Sequence, residues 1–410
     1  MNPRDPQNVL VAWIQDGRAT DLVMASRDGG RSFSRILVPG LSYCTGGALK
    51  VASDPGVYFS ADGRIAYFSA IVVDFTSPTD VESASTSMLV SRSVDGGFSW
   101  SVPTVVQPVT GDFWDLPNLT PDPRQPKRAY FYYVKRLRPD FAHGQSMLSI
   151  TTDGGRTWSK PRVLYDPKTS DSWPSRGKIL VNRDGSLLNV FALVGSDPNP
   201  DPNAVRSLPT QELALRSVDG GRTWSKPIMI GHTDGRDVHD PVTGQGMNIY
   251  DTFPAETIAP NGDVYATWSQ PGAMSSRIVV ARSQNGGRTW SSHYLGVRGQ
   301  SALPTVEVAG DGTVGVTYYK ASAASSGGFW PTQVILANSR DQGRTWSHQP
   351  IAGQFNLLAA GSKARPCCFV GDYEGIARLQ NGLVATTAMS KPLAKYKVDV
   401  FFSRITTSSK

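Results

Sequence analysis

Cysteine and histidine are scarce. The 410 residues hold three Cys, which cannot all pair within one chain, so a disulfide-stapled scaffold is excluded. The five His (143, 232, 239, 293 and 348) show no His-Glu-x-x-His or paired metal spacing, so no transition-metal site is expected. No apolar run reaches the roughly 20 residues of a membrane helix, so membrane insertion is not expected. The opening MNPRDPQNVL has no apolar stretch behind a basic start, unlike a signal peptide. There is no run of five Lys or Arg, and no RNP-like, helix-turn-helix or zinc-finger pattern, so nucleic acid is not an expected partner. Neither a Gly-x-Ser-x-Gly elbow nor a phosphate-binding glycine loop occurs, and no cofactor is expected. Charged residues make up only 18 %, against a coiled coil, while 39 % hydrophobic residues argue against a disordered chain.

Glycine and proline, by contrast, are abundant: 40 and 29 residues, the mark of a loop-rich β protein. Six segments repeat one pattern: Ser26–Phe33, Ser93–Trp100, Thr151–Trp158, Ser217–Trp224, Ser283–Trp290 and Ser339–Trp346. Their third residues are Asp28, Asp95, Asp153, Asp219, Asn285 and Asp341, spaced by 67, 58, 66, 66 and 56. A near-constant period implies a repeat architecture, with all 410 residues expected in a single domain. Asp-Gly-Gly is turn chemistry, since glycine reaches positive φ freely. The carboxylate can accept from its own turn's N–H groups, and the Ser or Thr hydroxyls can add to them. Six equal copies point to a structural role.

Strand-like runs recur around each turn. Met88–Ser91 precedes one and Thr104–Val106 follows it; upstream, Val57–Phe59 and Ile65–Phe68 flank Ala61-Asp-Gly63. Each unit thus predicts four antiparallel strands, A to D, with the repeated turn between C and D. Four-stranded units in tandem make a β-propeller. Val9–Ala12 opens a first unit that has no strand A, and 375–402 supplies A, B and C of a seventh that has no turn motif. The expectation is an all-β propeller of seven blades, six being the alternative, in a chain whose natural start lies upstream of Met1.

The repeated turn resembles the Asp-box (BNR) repeat, and the whole chain resembles bacterial sialidase-like Asp-box proteins. Further stretches carry the likeness: Cys44-Thr-Gly-Gly47, Ala52-Ser-Asp-Pro55, Val238–Gly244, Thr313–Tyr319 and Gly371-Asp-Tyr-Glu-Gly-Ile-Ala377. The resemblance implies an exo-acting glycoside hydrolase with a Tyr nucleophile, an assisting Glu, an Asp acid/base and three Arg residues clamping a carboxylate. Tyr373 stands where the nucleophile opens the last blade, followed by Glu374. The acid/base would come from the first B–C loop, at Asp16 or Asp21, with Asp54 a further candidate proton donor. The Arg-Ile-Pro motif of the first clamp residue is absent, and Glu256 lies three residues beyond the position expected of the assisting Glu, near Phe253.

A propeller binds its ligand where the inner strands begin. The residues expected there to bind substrate are Arg18, Arg136 and Arg176 as an anion clamp, with Asp115, Asp251, Asp372 and the pair His239-Asp240. Arg138, His143 and Arg236 lie in neighbouring loops. This mixture of signs suits a glycan or small acidic sugar, as does the net charge of +7. Alternatives from other classes are a lyase on a uronate-containing glycan, in which a Tyr/His pair abstracts a proton, and a non-catalytic carbohydrate- or protein-binding propeller. Ser196–Asn203 could hold a structural Ca²⁺ or be a Pro-stiffened turn. A bridge from Cys44 to Cys367 or Cys368, or between the adjacent pair, would fit an exported protein, and free thiols the cytosol. A monomer is expected.

Overall fold

The computed structural model describes residues 1–15, 17–75, 84–137, 142–195, 209–233, 238–240, 242–247, 253–272, 275–296, 299–325, 328–361, 367–391 and 398–407. Asp16, Arg138, Arg236, Asp251 and the loop 196–203 lie outside them. The chain divides into two compact units, Met1–Asn189 with Arg216–Ser225, and Val190–Leu215 with Lys226–Lys410.

Seven antiparallel sheets follow one another, the blades of an all-β propeller. The first holds β1 (Val9–Gln15), β2 (Thr20–Ser26) and β3 (Ser34–Leu37). The second holds β4 (Val51–Phe59), β5 (Ala66–Asp74), β6 (Ser85–Ser93) and β7 (Thr104–Gln107), and the third β8 (Phe113–Pro121), β9 (Ala129–Arg136), β10 (Gly144–Thr151) and β11 (Arg162–Tyr165). The fourth is β12 (Ser172–Val181), β13 (Leu187–Gly195), β14 (Thr210–Ser217) and β15 (Ile228–Thr233); the fifth is β16 (Ala255–Ile258), β17 (Val264–Gln270), β18 (Arg277–Ser283) and β19 (Ser291–Tyr294). The sixth is β20 (Gln300–Val308), β21 (Val314–Ala321), β22 (Pro331–Ser339) and β23 (Ser347–Pro350), with the short β24 (Phe355–Asn356) paired to the start of β22. The seventh is β25 (Gly375–Leu379), β26 (Gly382–Ser390) and β27 (Val398–Thr406). The count of seven, with three strands in the first and last sheets, is as the repeats predict.

The repeated turns explain why the pattern recurs. In the first, Asp28 Oδ1 accepts from the N–H groups of Arg31 and Ser32 and from Ser26 Oγ, while Oδ2 accepts from Ser32 Oγ at 2.6 Å. These bonds, led by the Ser32 hydroxyl, hold Asp28 well below the usual carboxylate range. Asn285 keeps the same Oδ1 acceptor, and its Nδ2 donates to Thr289 Oγ1 at 2.8 Å. In the first unit the turns of the second, third and fourth sheets rest on the preceding sheet. A Cβ on Gly97 would stand 2.4 Å from Leu10, one on Gly155 2.9 Å from Tyr67, and one on Gly221 2.9 Å from Leu148. The core between sheets two and three joins Ile65, Tyr67 and Val90 to Phe131, Tyr133 and Met147, and that between sheets five and six joins Tyr265 and Val280 to Val306, Val316 and Tyr318.

Inner strands carry a second signature. β4, β8 and β20 each break register at an X-Pro step, at Asp54-Pro55, Leu116-Pro117 and Leu303-Pro304. The residue before each proline is left-handed, with φ of 56°, 57° and 49°. Proline has no N–H to give the ladder, so a bulge is where a strand tolerates it. A left-handed non-glycine residue is costly and re-aims the side chains around it.

Candidate functional site

In the first unit the sequence-predicted residues Arg18, Asp21, Asp54, Asp115 and Arg136 act on one another. Asp21 belongs to a strand, not to the B–C loop expected from the sequence: it pairs with Ile14 across β1–β2. Arg18 sits in that turn with φ 78°, and the turn is tied to its neighbours by Ala52 N–H donating to Arg18 O and Ser42 Oγ donating to Ala19 O. Asp54 stands on the β4 bulge and accepts from Ser53 Oγ at 2.7 Å. Asp115 stands at the β8 bulge and accepts from the Leu116 N–H at 2.9 Å.

The Asp21 carboxyl is fully buried, and neither oxygen has a hydrogen-bond partner. Burial first, then the charge of Asp54, pushes it well above the usual range, against the pull of Arg18. Asp115 is half-buried, and the same two causes push it up to about 7, against its Leu116 hydrogen bond and the charges of Arg136 and Arg18. Two carboxyls of the cluster are thus raised, against the pull of two guanidinium groups.

Arg136 was expected in a loop but ends β9, paired with Phe113 and Gly144. Its guanidinium lies 3.8 Å over the ring of Trp173, a residue the sequence reading missed. Gly144 makes room for that stack: a Cβ there would stand 2.8 Å from Trp173 Cβ and 3.2 Å from Arg136 Cδ. Trp173-Pro174 repeats the inner-strand X-Pro step, the one sequence signal that could have flagged it. Arg176 lies on inner strand β12, as expected, and its charge acts on the buried Tyr58 hydroxyl. His143 is taken up by Thr169 O and by Asp166, at 3.6 Å.

The second unit places Tyr373 in a stack on Phe253, with ring centroids 6.0 Å apart and planes at 11°. Glu374 meets the Tyr319 hydroxyl at 2.5 Å, and burial pushes its carboxyl up to about 8. Asp372 is half-buried in the same segment. Asp240 staples its loop: Oδ2 accepts from Thr243 N and Oγ1, and Oδ1 from Ala324 N. His239 pairs with Gly246 across that loop. A third acidic feature was missed from sequence. Glu212 on β14 is fully buried, both its oxygens without hydrogen-bond partners, and burial followed by the charge of Glu256 on β16 pushes it well above the usual range. The lone Glu of a strand, at Gln211-Glu212-Leu213, carries no motif that could have revealed it.

Cys367 and Cys368 form a vicinal bridge, and Cys44 is free and exposed. Among the described residues no group of three or more His, Cys, Asp or Glu could hold a metal ion, and no helix is long and apolar enough to cross a membrane.

No protein-family model matches the chain. A sialidase of Micromonospora viridifaciens is 24 % identical over 363 residues, covering 73 % of this chain and 51 % of the relative. A sialidase of Bacteroides fragilis is 26 % identical over 173 residues, 36 % of this chain and 28 % of the relative. The chain thus spans about half the length of the first of these curated relatives and less of the second. Among solved structures, the Hadza microbial sialidase Hz136 superposes with a TM-score of 0.53 at 14 % identity, covering 95 % of this chain and 74 % of that one. A polysaccharide lyase, PL25-Ulvanlyase, superposes with a TM-score of 0.56 at 10 % identity, covering 99 % and 92 %.

Proposed function

For a chain that belongs to the sialidase-like β-propellers, we propose an exo-acting glycoside hydrolase that acts on an acidic or hydroxylated sugar. The observation that carries the reading is Asp115: a half-buried carboxyl held to about 7 beside Asp54, with Arg18 and Arg136 acting on it. A general acid works best with its proton held near the working pH. The resemblance offers Asp16 or Asp21 as donor, with Asp54 a further candidate, but Asp21 is fully buried, out of reach of a substrate. Asp115 takes the donor's part, Asp54 sustains its proton, and Arg18 and Arg136 receive the sugar's carboxylate, guanidinium being the cation that matches it in shape. Arg176 is a further clamp residue; His239, Asp251 and Asp372 are further sugar contacts. In the second unit, Tyr373 has the nucleophile's part, supported by its place in Gly371-Asp-Tyr-Glu and by its stack on Phe253.

The test is turnover of aryl glycosides of acidic sugars by the full chain, with Asp115→Asn and Tyr373→Phe. Each variant should abolish release of the aryl group while leaving the fold intact. Unchanged turnover in either removes that residue from the mechanism. A product absorbing in the near ultraviolet would mark a lyase instead, and binding without product a lectin-like role. Export fits the bridged Cys367–Cys368 pair, and a monomer fits a chain that carries the acid and the clamp on one unit.

A further inference from the structure

The hydroxyl of Tyr319 has more partners than its single proton can serve in most arrangements. The ring, 1 % exposed, is packed on β21 with Trp330, Val334, Phe355 and Cys368. Three groups meet the hydroxyl: Glu374 Oε1 at 2.5 Å, the Ala388 carbonyl oxygen at 2.8 Å and the Ala388 N–H, which donates to it at 2.9 Å. A phenol has one proton and two acceptor lone pairs. The Ala388 carbonyl can only accept, whereas a carboxyl can donate when protonated, so the arrangement that serves all three contacts gives the phenol proton to the carbonyl. The Ala388 amide occupies one lone pair, and the other faces Glu374. An ionised Glu374 would set two acceptors in competition for one proton, in a place where water cannot help.

From this count we infer that Tyr319 is a positioning residue: it accepts a hydrogen bond from Glu374, keeps that side chain a neutral carboxylic acid, and so anchors the segment bearing Tyr373. A contact of 2.5 Å lies at the short end of O–H···O distances, as expected of an acidic O–H donor. Burial of Glu374 works in the same direction and outweighs the contrary pull that the Tyr319 and Ala388 hydrogen bonds would exert on an ionised carboxylate. The inference deepens the proposed function, resting on it only for the use made of the anchored segment; the protonation state stands apart from any turnover.

Infrared difference spectra of the full chain decide it without a substrate. At pH 7, wild type minus Glu374→Gln should show the carbonyl band of a protonated carboxyl. Tyr319→Phe, which keeps the ring, should move that band to higher wavenumber as its hydrogen bond is lost. Carboxylate bands in place of the carbonyl band, or a band that Tyr319→Phe leaves unmoved, would overturn the inference. Should Tyr319→Phe fail to fold, the Glu374→Gln spectrum still decides the protonation. A chain that cleaves no glycoside yet shows the protonated band refutes the function and leaves the inference standing.

Discussion

Asp115→Asn should make the protein's stability less sensitive to alkali. Asp115 ordinarily titrates at 3.8 and is pushed up to about 7 in the fold. The folded state therefore holds a proton that the unfolded chain releases between those two values. With the native state binding more protons, stability falls as pH rises. The contribution is fully present below 3.8, declines through the interval and is lost above about 7. At about 1.4 kcal/mol per pH unit, the interval is worth about 4 kcal/mol as a ceiling. Asparagine keeps the Oδ1 that accepts the Leu116 N–H but cannot ionise. Urea denaturation of wild type and variant at several values between pH 4 and pH 8 reads the effect. The variant should gain on wild type steadily across that range, by up to about 4 kcal/mol. Parallel curves would show that Asp115 ionises in the fold as it does in a peptide, and the proposed general acid would be lost with it.

Glu212→Gln should likewise relieve an alkaline penalty, because Glu212 is raised by burial and by Glu256. Its stability is present below the usual Glu range and is lost as pH rises towards the raised folded value, so wild type and variant should converge in acid and diverge in alkali, as read by denaturation midpoints. Divergence in acid would refute this. Gly97→Ala should cost about 2–4 kcal/mol, since a Cβ would stand 2.4 Å from Leu10 at a φ of 91°. Gly220→Ala, at φ 74° with nothing within 4 Å, should cost about 1–2 kcal/mol. Equal losses in the two variants would show that the turn does not bear on the neighbouring sheet.

How far the molecule was legible depends on whether its physics is local. Six of the seven sheets carry turns whose bonds close within five residues, as when Ser32 returns to Asp28, so periodicity reveals them. Asp21, Asp54 and Asp115 were nominated by their place along the chain, yet their chemistry is not local. For Asp21 and Asp115 it comes from burial and from the charge of Asp54, 33 and 61 residues away. Glu212 had no place in any motif, and its partner is 44 residues away. The X-Pro step joins the two cases. X-Pro steps such as Asp54-Pro55 and Leu116-Pro117 are common in turns, but within an inner strand the same step makes a left-handed bulge. That bulge is what presents Asp54 and Asp115. A backbone held at positive φ without glycine persists only where its surroundings enforce it. A third copy at Leu303-Pro304 presents Ala302 and Leu303, both buried, so the device belongs to the fold, and the proposed site uses the copies that carry a carboxylate there.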